Sequence, residues 1–189
     1  LQASEICLAR GAETKSGNYW YTTVREQSLC KGISEFSEIE FIDHVRNDVI
    51  SNYPADSNNL FVSGFSNGLG LILQNIIVQR PNAFKAFAGV GTIPKGPYAG
   101  VLTSNLPLYI SIGQSDDKVL QHSDRDEFIF SEAGILKEPV LKETIDNINE
   151  FLKLGDIPVK YENKKSIKLV YTNPDDDNSI FVFELLKDL

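Results

Sequence analysis

The chain of 189 residues has no methionine, one tryptophan, two cysteines and two histidines. Each scarcity excludes something. Cys7 and Cys30 are too few for a disulfide scaffold and lack the paired spacing of a zinc site. One bridge or two free thiols remain open alternatives, so the redox compartment is undecided. No asparagine stands in an N-x-S/T sequon. No apolar run approaches the roughly 20 residues that cross a bilayer, so no membrane span is expected. A chain that starts at Leu1 and lacks methionine need not begin where translation begins. The absence of a visible signal peptide therefore excludes little, and a longer parent polypeptide is expected.

Positive charge is also in short supply. Lys and Arg number 18 against 26 Asp and Glu, giving a net charge of −8. Such a surface repels phosphate backbones and anionic lipid, so neither nucleic acid nor a membrane surface is an expected partner. What is present is a core: 42% of residues are apolar and 10% aromatic. That content and this length suit a single domain over residues 1–189.

Strand-like and helix-like segments alternate. Ile6–Arg10 reads as a strand, followed by a polar loop carrying Tyr19, Trp20 and Tyr21. Ser37-Glu-Ile-Glu40 is a capping box, and Ile39, Ile42, Val45 and Val49 then recur at helical spacing up to Tyr53-Pro54. Leu60–Ser63 is strand-like, and Leu69–Arg80 reads as a buried helix ended by Pro81. Phe84–Gly91 and Leu106–Gly113 are apolar strands, and Leu141, Ile145, Ile148 and Leu152 mark an amphipathic helix. Ile167–Tyr171 and Ile180–Leu186 read as strands joined by an acidic turn, residues 173–178. The alternation predicts an α/β fold with a mostly parallel sheet and helices on both faces.

The stretch with chemistry in it is Gly64-Phe-Ser-Asn-Gly68, placed between a strand and a helix. A G-x-S-x-G motif in that context puts its serine on a sharp, strained turn, lifting the hydroxyl above the carboxyl edge of the sheet. Flanking side chains would crowd the helix against the strand, which accounts for the glycines. Ser66 is the candidate nucleophile. The N–H of Asn67, at the start of the helix, is a candidate oxyanion donor.

A serine hydroxyl needs a base, usually histidine, and an acid to orient it. In α/β sheets with this turn the chain order is serine, acid, histidine. Asp116 follows the Leu106–Gly113 strand directly and is the candidate acid. His44 precedes the serine and lies off its helix's apolar stripe, so it is expected to be a surface residue. His122 follows Asp116 by only six positions, within one polar loop, where reaching both partners is awkward. No later histidine exists in the chain, so the base is expected beyond Leu189.

The segment FIDHVRNDVISNYPADSNNLFVSGFSNG resembles the polyhydroxybutyrate depolymerase and feruloyl or acetylxylan esterase group of the α/β-hydrolases. YISIGQSDDKV is similar to that group's strand and acid loop, VLKETIDNINEFLKLGD to its following helix, and SIFVFELLKDL to its last strand. The resemblance implies a serine carboxylic-ester hydrolase of the α/β-hydrolase fold, with no metal or organic cofactor, acting on a small or polymeric ester. It also implies secretion, because such esterases often attack extracellular polymers. It further implies a strand ending in an oxyanion loop, upstream of Ile6 in sequence and lying between the Ile6–Arg10 and Leu60–Ser63 strands within the sheet, and a histidine just past Leu189. Both would lie outside this chain if it is a piece of a longer one.

Tyr19, Trp20 and Tyr21 are candidate substrate-wall residues, with ordinary packing under a loop as the competing reading. The acidic run Asp175–Asp177 reads as a solvated turn rather than a calcium site. Two rival functions stand beside the esterase: a serine peptidase of the prolyl-oligopeptidase type, and a non-catalytic binding module on a hydrolase scaffold.

Overall fold

The computed structural model describes residues 38–93, 106–116 and 139–187. Cys7, Tyr19, Trp20, Tyr21, Cys30, Asp117 and His122 lie outside them, as does the expected strand at Ile6–Arg10.

Helix α1 (Glu38–Asn52) begins inside the capping-box sequence and stops two residues before Pro54. Strand β1 (Phe61–Phe65) runs into α2 (Asn67–Leu71), which passes into a π-helical stretch, Ile72–Ile76, and then α3 (Ile77–Gln79). Leu69, Leu71, Ile72, Leu73, Ile76 and Ile77 are all buried, so this helical run is apolar around most of its circumference. A helix of that kind must sit inside the protein rather than on it. Strands β2 (Ala86–Val90) and β3 (Leu108–Gly113) follow, then α4 (Pro139–Leu152), β4 (Val159–Glu162), β5 (Ser166–Asn173) and β6 (Asp176–Leu186).

The six strands form one sheet in the order β1-β2-β3-β6-β5-β4. Strands β1, β2, β3 and β6 are mutually parallel, whereas β5 and β4 join as an antiparallel hairpin extension. The fold is thus α/β with a sheet that is mostly parallel, as expected, and made mixed by the antiparallel β5–β4 hairpin. Strand β4, which the sequence reading passed over, is short, exposed throughout and rich in charge. Lys160 and Lys187 both pair with Glu162, at 3.0 and 2.6 Å, and such charges keep a sheet edge from recruiting other strands. The acidic turn is also tighter than expected, because β6 already starts at Asp176, which pairs with Asn173.

Register decides which side chains share a face. Val62, Phe87, Leu108, Phe181 and Tyr171 are aligned across five strands, and Gly64, Gly89, Ile110, Phe183 and Leu169 form the next row. Most of these residues are fully buried, and they join the buried residues of α1, the α2–α3 run and α4 in a single apolar cluster. Burying one large apolar side chain contributes about 1.5–3 kcal/mol, so this face carries the stability of the fold. The opposite face holds Phe61, Ser63, Phe65, Ala88, Val90, Tyr109, Val182 and Glu184, and most of these are partly or largely exposed. The described helices therefore pack on one face; the expected helices of the other face would come from residues outside the described ones.

Candidate active site

Parallel strands bring their carboxyl ends to one edge, and the candidate residues follow those ends. Ser66 lies between the last residue of β1 and the first of α2, with φ 50° and ψ −117°. A positive φ costs an L-residue with a side chain steric strain, and such strain is held only where surrounding contacts over-determine it. Those contacts are visible. The Ser66 N–H donates to the Val90 carbonyl at the end of β2 (2.8 Å), and the Ser66 carbonyl accepts from the N–H groups of Leu69 (3.0 Å) and Gly70 (3.2 Å). The serine is thus bonded to the neighbouring strand on one side and to its own helix on the other. Its hydroxyl makes no capping bond to that helix, although serine is a favoured capping residue.

Gly64 and Gly68 have different roles. A β-carbon on Gly64 would lie 2.5 Å from the Gly68 carbonyl carbon, 2.6 Å from its oxygen and 2.7 Å from the Leu69 nitrogen. Only glycine allows β1 and α2 to approach so closely. At Gly68 a β-carbon would meet nothing within 4 Å. The expectation that both glycines answer to crowding holds at Gly64 and is corrected at Gly68. Gly89, one strand over, also makes room for the helix, since a β-carbon there would lie 2.2 Å from a Leu69 methyl.

Asp116 is half-buried and follows β3 by three residues. Its N–H donates to the Gly113 carbonyl (3.2 Å), and the Gln114 N–H donates to the Leu186 carbonyl of β6 (2.8 Å). The acid loop is therefore anchored to the carboxyl ends of two adjacent strands. Strand β2 separates β1 from β3, so the two strand axes are about 10 Å apart, twice the usual strand spacing. Asn67 is the first residue of α2, next to Ser66. His44 is exposed on α1, as its place off the apolar stripe predicts.

Two features of this region escaped sequence reasoning. One is Gly91, whose φ is +77° and whose missing β-carbon leaves space for the Phe65 ring, 2.8 Å from where that atom would stand. The other lies on the less covered face of the sheet. There the Tyr109 hydroxyl donates to Glu184, and Lys168 stands 3.5 Å from the same carboxylate. Burial pushes Glu184 up, but hydrogen bonds from Ser166 and Tyr109 and the Lys168 charge outweigh it and hold the carboxyl below its ordinary value. Burial first, and then the bond to Glu184, pushes Tyr109 up to about 12. The only sequence signal for this cluster is a lone glutamate in the otherwise apolar stretch Ile180–Leu186.

Two hollows, of about 300 and 620 Å³, lie by the amino ends of the strands, and neither is lined by Ser66 or Asp116. Among the described residues no group of three or more His, Cys, Asp or Glu could hold a metal ion. Among them, too, no helix is long and apolar enough to cross a membrane. No protein-family model matches the chain, and no curated protein matches it significantly.

Proposed function

We propose that the chain is a serine carboxylic-ester hydrolase with an α/β-hydrolase fold. The observation that carries this reading is the backbone of Ser66: φ 50° and ψ −117° at a strand-to-helix junction, on the edge where the parallel strands end. A serine that merely reversed the chain would have no reason to hold a conformation that glycine takes at no steric cost.

In the proposed mechanism the Ser66 oxygen attacks the ester carbonyl as a histidine takes the hydroxyl proton. The carbonyl π electrons move onto its oxygen, and the N–H of Asn67 is one of the donors that stabilise the charge. Collapse of the tetrahedral species expels the alcohol, which takes the proton from the histidine, and leaves an acyl group on Ser66. Water activated by the same histidine then releases the acid. Asp116 orients the imidazole and stabilises its charged form. A strand spacing of about 10 Å is too wide for a direct bond between serine and aspartate but suits an imidazole bridging them. The base is a histidine outside the described residues, either His122 or one that follows Leu189 in a longer polypeptide. No metal or cofactor takes part in any step. Secretion and a polymeric substrate belong to the same proposal through the resemblance to depolymerases.

A fluorophosphonate probe tests the reading on the full-length protein, with mass spectrometry of the labelled peptide. The expected adduct is on Ser66 and is absent in Ser66→Ala. Faster turnover of aryl esters than of aminoacyl amides separates the esterase from the prolyl-oligopeptidase-type peptidase. A protein that resists labelling at Ser66 is a binding module instead.

A further inference from the structure

Phe65 immediately precedes Ser66, yet its side chain is 74% exposed. Strand alternation puts it on the face opposite Gly64, and so opposite α2. The Phe65 ring occupies the space left by the missing β-carbon of Gly91, a residue whose positive φ suits glycine. An exposed aromatic ring is thus seated against backbone rather than left to sample solvent. Val90 is the cross-strand partner of Phe65 and is 41% exposed on the same face. Leu186, two strands further along the same edge, is also 41% exposed. Phe65 and Val90 form a small apolar ledge at the carboxyl ends of β1 and β2, on the sheet face away from α2, whereas the same register row continues into Ser111 and Glu184 and Leu186 stands beyond them opposite Gly113.

We propose that this ledge, with Phe65 next to Ser66, binds the apolar acyl part of the ester while its carbonyl lies at Ser66. The inference rests on the esterase reading and adds a substrate class to it: esters of apolar acyl groups rather than acetyl esters. The peptide link between Phe65 and Ser66 supports the assignment. An acyl group bonded to the serine oxygen must extend from the residue next to this ring, and the face behind Ser66 is closed by α2. Burial of the ring and of the acyl chain against each other removes apolar surface from water, a gain that grows with acyl length. Phe65 is therefore a specificity-determining residue, with Val90 extending the surface.

The test compares p-nitrophenyl acetate with p-nitrophenyl octanoate on full-length protein and on Phe65→Ala, with Phe65→Leu as the conservative variant. Phe65→Ala is expected to lower kcat/KM for octanoate about tenfold and for acetate less than about twofold. Phe65→Leu is expected to recover most of the octanoate rate. Equal losses for both esters, or no loss for either, overturn the ledge while phosphonate labelling of Ser66 still upholds the nucleophile. A parent protein that Ser66 labelling misses altogether overturns both readings.

Discussion

Gly64 stands so close to Gly68 that a single added methyl group would meet backbone at 2.5 Å. Backbone cannot rotate away as a side chain can, so Gly64→Ala must move α2 off the sheet. The expected cost is about 2–4 kcal/mol, as for an overpacked core site. Gly68→Ala meets nothing within 4 Å and sits in helical backbone, so it is expected to stabilise by about 0.4–1 kcal/mol. Urea unfolding midpoints of the two variants check this. Equal destabilisation by both would show that the two glycines serve the same purpose after all.

The strain at Ser66 has a measurable counterpart. Ser66→Gly relieves the positive φ and is expected to raise stability by about 1 kcal/mol, whereas Ser66→Ala keeps the strain and changes stability little. Both variants lose the phosphonate adduct. A Ser66→Gly protein no more stable than Ser66→Ala would argue that the turn is relaxed and would remove the main support for the nucleophile.

Lys153 is the other non-glycine residue with positive φ among those described, at 55°. It follows α4, where the Leu154 N–H bonds to the Asn149 carbonyl at 2.8 Å, a left-handed helix stop normally filled by glycine. Its side chain is exposed, so Lys153→Gly is expected to stabilise by about 0.5–1 kcal/mol, read from thermal unfolding. A lowered melting temperature would show that the lysine side chain contributes more than its backbone strain costs.

The periodicities in the sequence located α1, β1, β2, β3, α4, β5 and β6, because each buries one face and its apolar residues recur accordingly. The direction of β5 was not legible, since alternation looks the same in parallel and antiparallel strands. Strand β4 was missed because Val159-Lys-Tyr-Glu162 buries nothing and so leaves no apolar pattern. The turn around Ser66 was legible through its glycines. Its supports, the Val90 carbonyl and the gap at Gly91, were not, because they come from the next strand and depend on register. The exposure of Phe61, Phe65 and Val90 was equally hidden, since they read in sequence like any buried residues.

Tyr109 and Glu184 on the less covered face, together with Tyr171 on the core face, make stability depend on pH at both extremes. Tyr109 and Tyr171 are each pushed from 10.0 to about 12, first by burial, then by Glu184 and by the Asp146 charge respectively. Values raised in the folded state mean that the unfolded chain loses these protons first. Their contribution is complete below pH 10 and is lost as pH rises towards 12. Allowing for solvent screening of the partly exposed Tyr109, the combined loss is on the order of 1–3 kcal/mol. Glu184 has the opposite sign. Its carboxyl is held below the ordinary 4.5 against the opposing effect of burial, so its contribution is present above that value and fades as pH falls through the folded one. Urea midpoints measured across the pH range should therefore drop on both sides. Tyr171→Phe is expected to shallow the alkaline arm alone. Glu184→Gln is expected to flatten the acid arm and also to ease the alkaline one, because part of the Tyr109 shift comes from Glu184. An alkaline arm unchanged in Glu184→Gln would show that the two side chains are not coupled across β3 and β6.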